Sequence, residues 1–397
     1  VGRWAKGRSL GCALALAASS CTSEGASKNG QAARLSADAA GSDAVAQAPL
    51  DRGPAAPEGS AGSVATVHYM GRFDWRDPAG PRFAWPGTGI AATFVGTGLE
   101  ATLSDTGHDI LAVAIDGATP RAVATAGAGK VYTLASKLAP GQHTVVLTKR
   151  TEASVGVEQL LALTPLGGAL VPSPPLFTRR IEFIGDSIVC GYGVLGTDCR
   201  FSPETEDEGS AFGAIASAAL HAQRTVIAYS GKGMYRDIRG STVDQMPVLF
   251  NRVLPDDPTS LWDFAAPAPD VVVIELSSND FTGGDPGDVF ERAYVAFLQQ
   301  LRRRYPHAYV LCALSSMVTG PDRTNAADSI VGAVQMARSA GVTRVSTLEV
   351  PAARGTFFGF AEQLATDGYG CDGHPSLRTH LMMGQQLATA IPLVTGW

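Results

Sequence analysis

Between Val64 and about Leu166 apolar and polar residues alternate in short runs. Ile90, Ala92 and Phe94, and beyond a glycine-containing turn Leu99, Ala101 and Leu103, share one parity, while Ala91, Thr93, Glu100 and Thr102 take the other. Side chains along a strand point to opposite faces with a period of two, so each run predicts a strand with one face in a core. Leu111–Ile115 ends at Asp116-Gly117, a tight-turn pair, and Val131–Leu134 and His143–Leu147 follow around Ala139-Pro140-Gly141. No ten-residue helical period interrupts these runs. The pattern predicts an all-β sandwich over residues 64–168.

Beyond Pro172, Pro174 and Pro175 the pattern changes. Continuous apolar runs at Ile181–Ile184, Thr225–Ala228, Val271–Leu276, Ala308–Ala313 and Arg344–Leu348 alternate with helical periods at Ala211–Leu220, Val289–Tyr305 and Ala326–Ala340. Strands apolar on both parities are buried on both faces, which predicts an α/β domain over residues 176–397 with a parallel sheet between helices. Pro375 opens a last helix with Leu377, Leu381, Gly384, Leu387 and Ile391 on one side.

The first 63 residues fit neither pattern. Arg3, Lys6 and Arg8 precede the apolar stretch Leu10–Ala18 and then Ala18-Ser19-Ser20-Cys21. This stretch is too short to span a bilayer and reads as an export segment over residues 1–21. Small residues before Cys21 resemble a lipoprotein processing site, so the expectations are an exported protein and either a lipid anchor on Cys21 or simple cleavage. Residues 22–63 are rich in Ala, Gly, Ser and Pro and read as a linker with too little apolar surface to offset its ordering entropy.

Composition sharpens the picture in two respects. The chain of 397 residues is 45% hydrophobic and 17% charged, as globular domains are. Its net charge of −6 comes without a basic block, so no nucleic-acid partner is expected. Cys190, Cys199, Cys312 and Cys371 follow the export segment. Four cysteines in an oxidising compartment permit three full pairings. Cys312 sits in an apolar strand run, as a buried thiol would. A Cys190–Cys371 bridge is the pairing that would brace the two chemical segments described next.

In open parallel sheets ligands bind beyond the carboxyl ends of the strands. Three strand ends here run into polar residues: Gly185-Asp186-Ser187, Ser230-Gly231-Lys232-Gly233 and Ser277-Ser278-Asn279-Asp280. A fourth cluster, Asp372-Gly373-His374-Pro375, precedes the last helix. Acyl transfer needs a hydroxyl activated by an imidazole and donors preorganised for an oxyanion. Ser187 and His374 supply the first pair. The N–H groups of Ser187 and Gly231 and the Asn279 amide supply the second.

These blocks resemble those of SGNH (GDSL-type) hydrolases: GDSI at Gly185–Ile188, LSSND at Leu276–Asp280 and DGHP at Asp372–Pro375. The longer strings Gly185–Gly193, Ser230–Gly233 and Cys371–Ser376, with Trp85-Pro86-Gly87-Thr88 and Lys149-Arg150-Thr151-Glu152 before them, resemble carbohydrate esterase family two. The resemblance covers residues 64–397. It implies a flavodoxin-like SGNH domain behind a jelly-roll-like sandwich, no cofactor or metal, and acetylated plant-type polysaccharide or oligosaccharide as substrate. General SGNH enzymes carry the triad aspartate three residues before the histidine, where this chain has Cys371. Either the Asp372 carboxylate or a main-chain carbonyl then orients His374.

Several residues read as structural. Asp186 and Asp280 read as loop-tying hydrogen bonders, and Trp75, Trp85 and Trp262 as packing residues, Trp262 on a helix face. Phe357 and Phe358 lie in a loop that could line the pocket; no substrate-binding residue is assigned. Gly191-Tyr192-Gly193-Val194-Leu195-Gly196 matches a dinucleotide fingerprint, but it starts too far beyond its strand and no acid ends the next strand. No HExxH, paired CxxC or close His/carboxylate cluster points to a metal. The expected activity is thus a carbohydrate acetylesterase working through an acyl-serine. A lipase or lysophospholipase on the same scaffold, and a non-catalytic carbohydrate-binding surface protein, are the alternatives.

Overall fold

The alternating runs pair as antiparallel strands in the computed structural model, which describes residues 66–173, 177–352, 355–360 and 368–397. The export segment with Cys12 and Cys21, the 22–63 linker, and the side chains of Phe357 and Phe358 lie outside the described residues. Among the described residues no helix is long and apolar enough to cross a membrane.

Ten strands build the first domain: β1 (Val67–Met70), β2 (Arg82–Phe83), β3 (Gly89–Gly96), β4 (Gly98–Asp105), β5 (Ile110–Ile115), β6 (Arg121–Ala124), β7 (Gly127–Ala135), β8 (Gly141–Lys149), β9 (Glu158–Leu166) and β10 (Ala169–Val171). One sheet runs β1-β3-β8-β5-β6 with β10 also on β3, and the other runs β2-β9-β4-β7. Ile90, Ala92, Phe94, Leu99, Ala101 and Leu103 are buried together with Leu111, Val113, Val145 and Leu147 between the sheets. At Asp116-Gly117 both residues take positive φ, as a tight hairpin turn requires, and Ala118 N donates to Ile115 O.

The second domain is a parallel sheet of β11 (Arg179–Gly185), β12 (Ala222–Ala228), β13 (Val271–Glu275), β14 (Tyr309–Ala313) and β15 (Val345–Thr347), in the order β12-β11-β13-β14-β15. That order is flavodoxin-like, and its switch point lies where the first strand meets its two neighbours. Alternate residues serve opposite faces. Phe183, Val226, Val273 and Leu311 pack on α2 (Phe212–Ala219) and α7 (Leu377–Thr395). Ile184, Ile227, Ile274 and Cys312 pack on α5 (Asp288–Arg304) and α6 (Gly320–Ser339). Three short helices, α1 (Ser187–Cys190), α3 (Met246–Leu249) and α4 (Ser278–Phe281), sit in the connections.

Several details differ from the sequence reading; strand β12, for example, starts at Ala222 rather than Thr225. Helix α6 starts at Gly320 rather than Ala326, because Pro321 suits a first turn and the polar turn that follows shows no apolar period. Helix α7 starts at Leu377, one residue beyond its N-cap Ser376, so Pro375 lies outside it. Its buried arc is His380, Met383, Gly384, Leu387 and Ile391, while Leu377 and Leu381 stay 43% exposed. Trp262 lies beside an isolated bridge between Arg252 and Leu261 and not on a helix.

A buried ion pair ties the domains. Arg72, just after β1, is fully buried and reaches Glu182 on β11 at 3.3 Å. Its guanidinium also donates to the Phe250 and Arg252 carbonyls and lies over the rings of Phe250 and Trp262. Trp85 is fully buried at the same seam, its indole N–H donating to Arg252 O.

Candidate active site

Strand β11 ends at Gly185, where a Cβ would sit 2.2 Å from Val189 Cγ2 and 2.8 Å from the Glu275 carbonyl. Only a glycine lets helix α1 turn back so tightly. Asp186 caps that helix, its Oδ1 accepting from Ile188 N at 3.0 Å. Ser187 is therefore the first residue of α1, and its hydroxyl lies 2.8 Å from His374 Nε2. His374 comes from a short 3₁₀ turn over Cys371–Gly373 ahead of α7. Burial lowers the His374 pKa from its ordinary value, opposed by hydrogen bonds to the main chain of Cys371 and Asp372 and by the Asp372 charge. A neutral imidazole on a serine hydroxyl can take up its proton.

The Asp372 carboxylate is directed elsewhere as well. Its Oδ2 accepts from Tyr192 Oη at 3.1 Å and from Phe201 N at 3.0 Å. The Tyr192 ring stacks on Phe201, with centroids 4.0 Å apart, and tilts over His374 at 4.1 Å. Tyr192 came from the glycine string that mimics a dinucleotide fingerprint, and sequence reading did not single it out.

The three expected oxyanion donors differ in their present use. Among the described residues the main-chain N–H groups of Ser187 and Gly231 have no hydrogen-bond acceptor. Ser187 N–H is one of the unpaired donors that every helix start leaves. Gly231 holds a φ of 79°, in the left-handed region, which favours glycine. The Asn279 amide instead donates to Asp186 Oδ2 at 3.0 Å and to Lys232 O at 2.9 Å, committing both its hydrogens. Asp280 accepts from the N–H groups of Met234, Tyr235 and Arg236 and so ties down the loop beyond Gly231.

A set of buried acids that the sequence pattern did not reveal lies behind Ser187. Burial pushes Asp186 up to about 6. Glu275, at the end of β13, is fully buried and pushed up by burial and by the Asp186 charge. Glu152, from the loop between β8 and β9, accepts from Ser230 N at 2.8 Å, and Glu206 Oε2 accepts from Glu152 N at 2.9 Å. Periodicity could not flag Glu152 or Glu206, because an isolated Glu in a loop reads as solvated until the other domain covers it.

A second carboxylate cluster lies within the sandwich. The cross-strand neighbours Asp105 and Glu158 and the following Asp109 bring their oxygens within 4.8 Å of one another. This corrects the reading that no close cluster exists, since strand pairing joined residues distant in sequence. Lys149 Nζ meets Asp109 Oδ1 at 2.6 Å, and Thr125 Oγ1 donates to Glu158. Burial pushes Glu158 up to about 8.

The disulfide is Cys199–Cys371, and Cys190 is a buried free thiol, as is Cys312. The expected Cys190–Cys371 bridge is thus wrong. Cys190 ends helix α1 facing the core, where burial and nearby acids raise its pKa. Cys371 instead faces Gly193 and Gly196. A Cβ on Gly196 would lie 2.2 Å from Cys199 Sγ and 2.3 Å from Cys371 Sγ. The fingerprint-like glycines therefore make room for the disulfide, which holds the His374 turn together with Asp372 N donating to Cys199 O at 2.7 Å. His380, one turn into α7, is buried and accepts from Phe212 N at 3.2 Å; burial holds it neutral down to about 3.

A doubly covered parallel sheet with a serine–histidine pair at its switch point, behind a β-sandwich, defines a GDSL-type hydrolase. Comparison agrees: residues 183–382 match the GDSL-like lipase/acylhydrolase family, and residues 69–175 match the carbohydrate esterase 2 N-terminal domain. The chain belongs to the GDSL-like family and, within it, to the family-two carbohydrate esterases. It is 34% identical over 336 residues to the cellulase/esterase CelE of Acetivibrio thermocellus, covering 83% of this chain but 40% of that one. It is 26% identical to an acetylxylan esterase/glucomannan deacetylase of Cellvibrio japonicus, over 85% of this chain and 91% of that one. The structure of a family-two carbohydrate esterase from Clostridium thermocellum in complex with cellohexaose superposes with a TM-score of 0.78 at 34% identity, over 83% and 99% of the two chains.

Proposed function

We propose that this carbohydrate esterase is a serine enzyme that removes O-acetyl groups from plant-type polysaccharides or oligosaccharides. The observation that carries the reading is the 2.8 Å contact of Ser187 Oγ with His374 Nε2; among the described residues the main-chain N–H groups of Ser187 and Gly231 have no acceptor. The Ser187 hydroxyl attacks the acetyl carbonyl as its proton passes to His374. The oxyanion is met by the N–H groups of Ser187 and Gly231, and by the Asn279 amide once it leaves the Lys232 carbonyl. His374 returns the proton to the departing sugar oxygen, and a water activated by His374 then releases acetate from the acyl-serine. The substrate class is supported by the names of the Cellvibrio relatives, an acetylxylan esterase and glucomannan deacetylase. Export through residues 1–21, with either a lipid anchor on Cys21 or simple cleavage, belongs to the same proposal.

Acetate release from acetylated xylan and acetylated glucomannan, run beside Ser187→Ala, tests it. Ser187-dependent release is expected, with acetyl esters preferred over octanoyl esters. A protein inactive on both glycans and on simple acetyl esters overturns the reading, and a preference for octanoyl esters reassigns it to a lipase.

A further inference from the structure

We infer that Glu152, a residue of the sandwich domain, is a positioning residue for the oxyanion loop of the hydrolase domain; this inference rests on the esterase reading above. Glu152 Oε2 accepts the Ser230 N–H at 2.8 Å, and Ser230 directly precedes Gly231, whose own N–H is free to meet the oxyanion. The two neighbouring peptide N–H groups therefore divide the work. One is fastened to the sandwich, and the other, unpaired among the described residues, is left for the oxyanion.

Glu152 is itself held at both ends. Its N–H donates to Glu206 Oε2 at 2.9 Å, and its carbonyl accepts from Lys149 Nζ at 2.8 Å. Lys149 is fully buried and ion-paired with Asp109, so the anchor reaches back into the sandwich core. Arg150, two residues before Glu152, donates from Nε to Glu206 O at 2.6 Å. Glu152 is 1% exposed, with Cys190 Sγ 4.0 Å from the same oxygen. Ser230 is half-buried, and leaving its N–H unpaired would be costly. The contact needs an acceptor atom at a fixed reach more than it needs a charge, because burial favours the protonated acid.

The test uses the full-length protein and kcat per active site, with sites counted by phosphonate titration of Ser187. Glu152→Ala is expected to lower kcat on a simple acetyl ester roughly 10- to 100-fold while KM stays within about threefold. The inhibition constant of a boronic acid, which places an oxygen in the oxyanion hole, should rise in step with the fall in kcat. Glu152→Gln keeps an acceptor at the same reach and should recover kcat to within about threefold, whereas Glu152→Asp, one methylene shorter, should not. Should the alanine variant fail to fold, the Gln and Asp variants decide, and equal kcat in those two overturns the inference. A lower melting temperature with kcat and boronate affinity unchanged also overturns it, since that marks a merely structural contact. Wild-type protein without Ser187-dependent turnover overturns the esterase reading and this inference with it. An active wild type beside an undiminished Glu152→Ala overturns this inference alone.

Discussion

The Tyr192 hydroxyl donates to Asp372 Oδ2 at 3.1 Å, and the same phenol ring tilts over His374 with centroids 4.1 Å apart. Besides the direct effect of its charge on the ring, the Asp372 carboxylate thereby meets the proposed base through Tyr192, which bears on whether a triad or a dyad operates. An aspartate that directly fixes the imidazole tautomer is worth about 10⁴ in kcat. Acting through Tyr192, Asp372 should be worth far less. Asp372→Ala is expected to lower kcat about 10-fold, and Tyr192→Leu similarly, with the double variant little worse than either single one. A loss near 10⁴ in Asp372→Ala alone would show that the carboxylate acts on the ring directly.

The pH dependence of turnover should follow His374. Burial disfavours the imidazolium, so its pKa lies below the ordinary value of 6.5. The base must be neutral to take the Ser187 proton. Activity is therefore present above the His374 pKa and lost as pH falls through it. A kcat/KM profile should show an acid limb with its midpoint below 6.5, and a midpoint above that value would contradict the buried setting.

Cys199–Cys371 closes a separation of 172 residues and carries the turn that delivers His374. Losing it should cost about 2–4 kcal/mol of stability, read as a lower urea midpoint in Cys199→Ser or under reductant. The loosened turn should also lower kcat. Alkylation of the unfolded, unreduced protein should label Cys190 and Cys312 but neither Cys199 nor Cys371, and labelling of either of the latter would refute the pairing.

Arg72 and Glu182 form a buried pair across the domain seam, and Tyr305 Oη also donates to Glu182 at 3.2 Å. Arg72→Met leaves a buried acid without its cation and should destabilise the protein by about 3–5 kcal/mol. Adding Glu182→Gln should recover a substantial part, because the uncompensated charge and not the missing packing is the larger loss. Urea denaturation of the two variants beside the wild type checks this; equal midpoints for Arg72→Met and the double variant would place the cost in packing.

The sequence brought out a sandwich followed by an α/β domain and the approximate places of their longer elements, because period-two alternation over Ile90–Leu103 and doubly apolar runs such as Val271–Leu276 are direct records of burial. It also brought out Ser187, His374, Gly231 and Asn279 as candidates, since polar residues at successive ends of parallel strands converge by topology alone. Tertiary structure decided what lies one shell further out. Cys371 found Cys199 because Gly193 and Gly196 open room there, while Cys190 turned into the core. Asp372 went to Tyr192 and Phe201, and Asn279 to Asp186 and Lys232. The Glu152 carboxylate reached the Ser230 N–H, and Arg72 reached Glu182, across the seam with the second domain. Strand and helix patterns register whether a side chain is buried by its own element's neighbours. A buried polar side chain chooses its partner by distance and direction in the folded molecule, and residue spacing along the chain does not encode those.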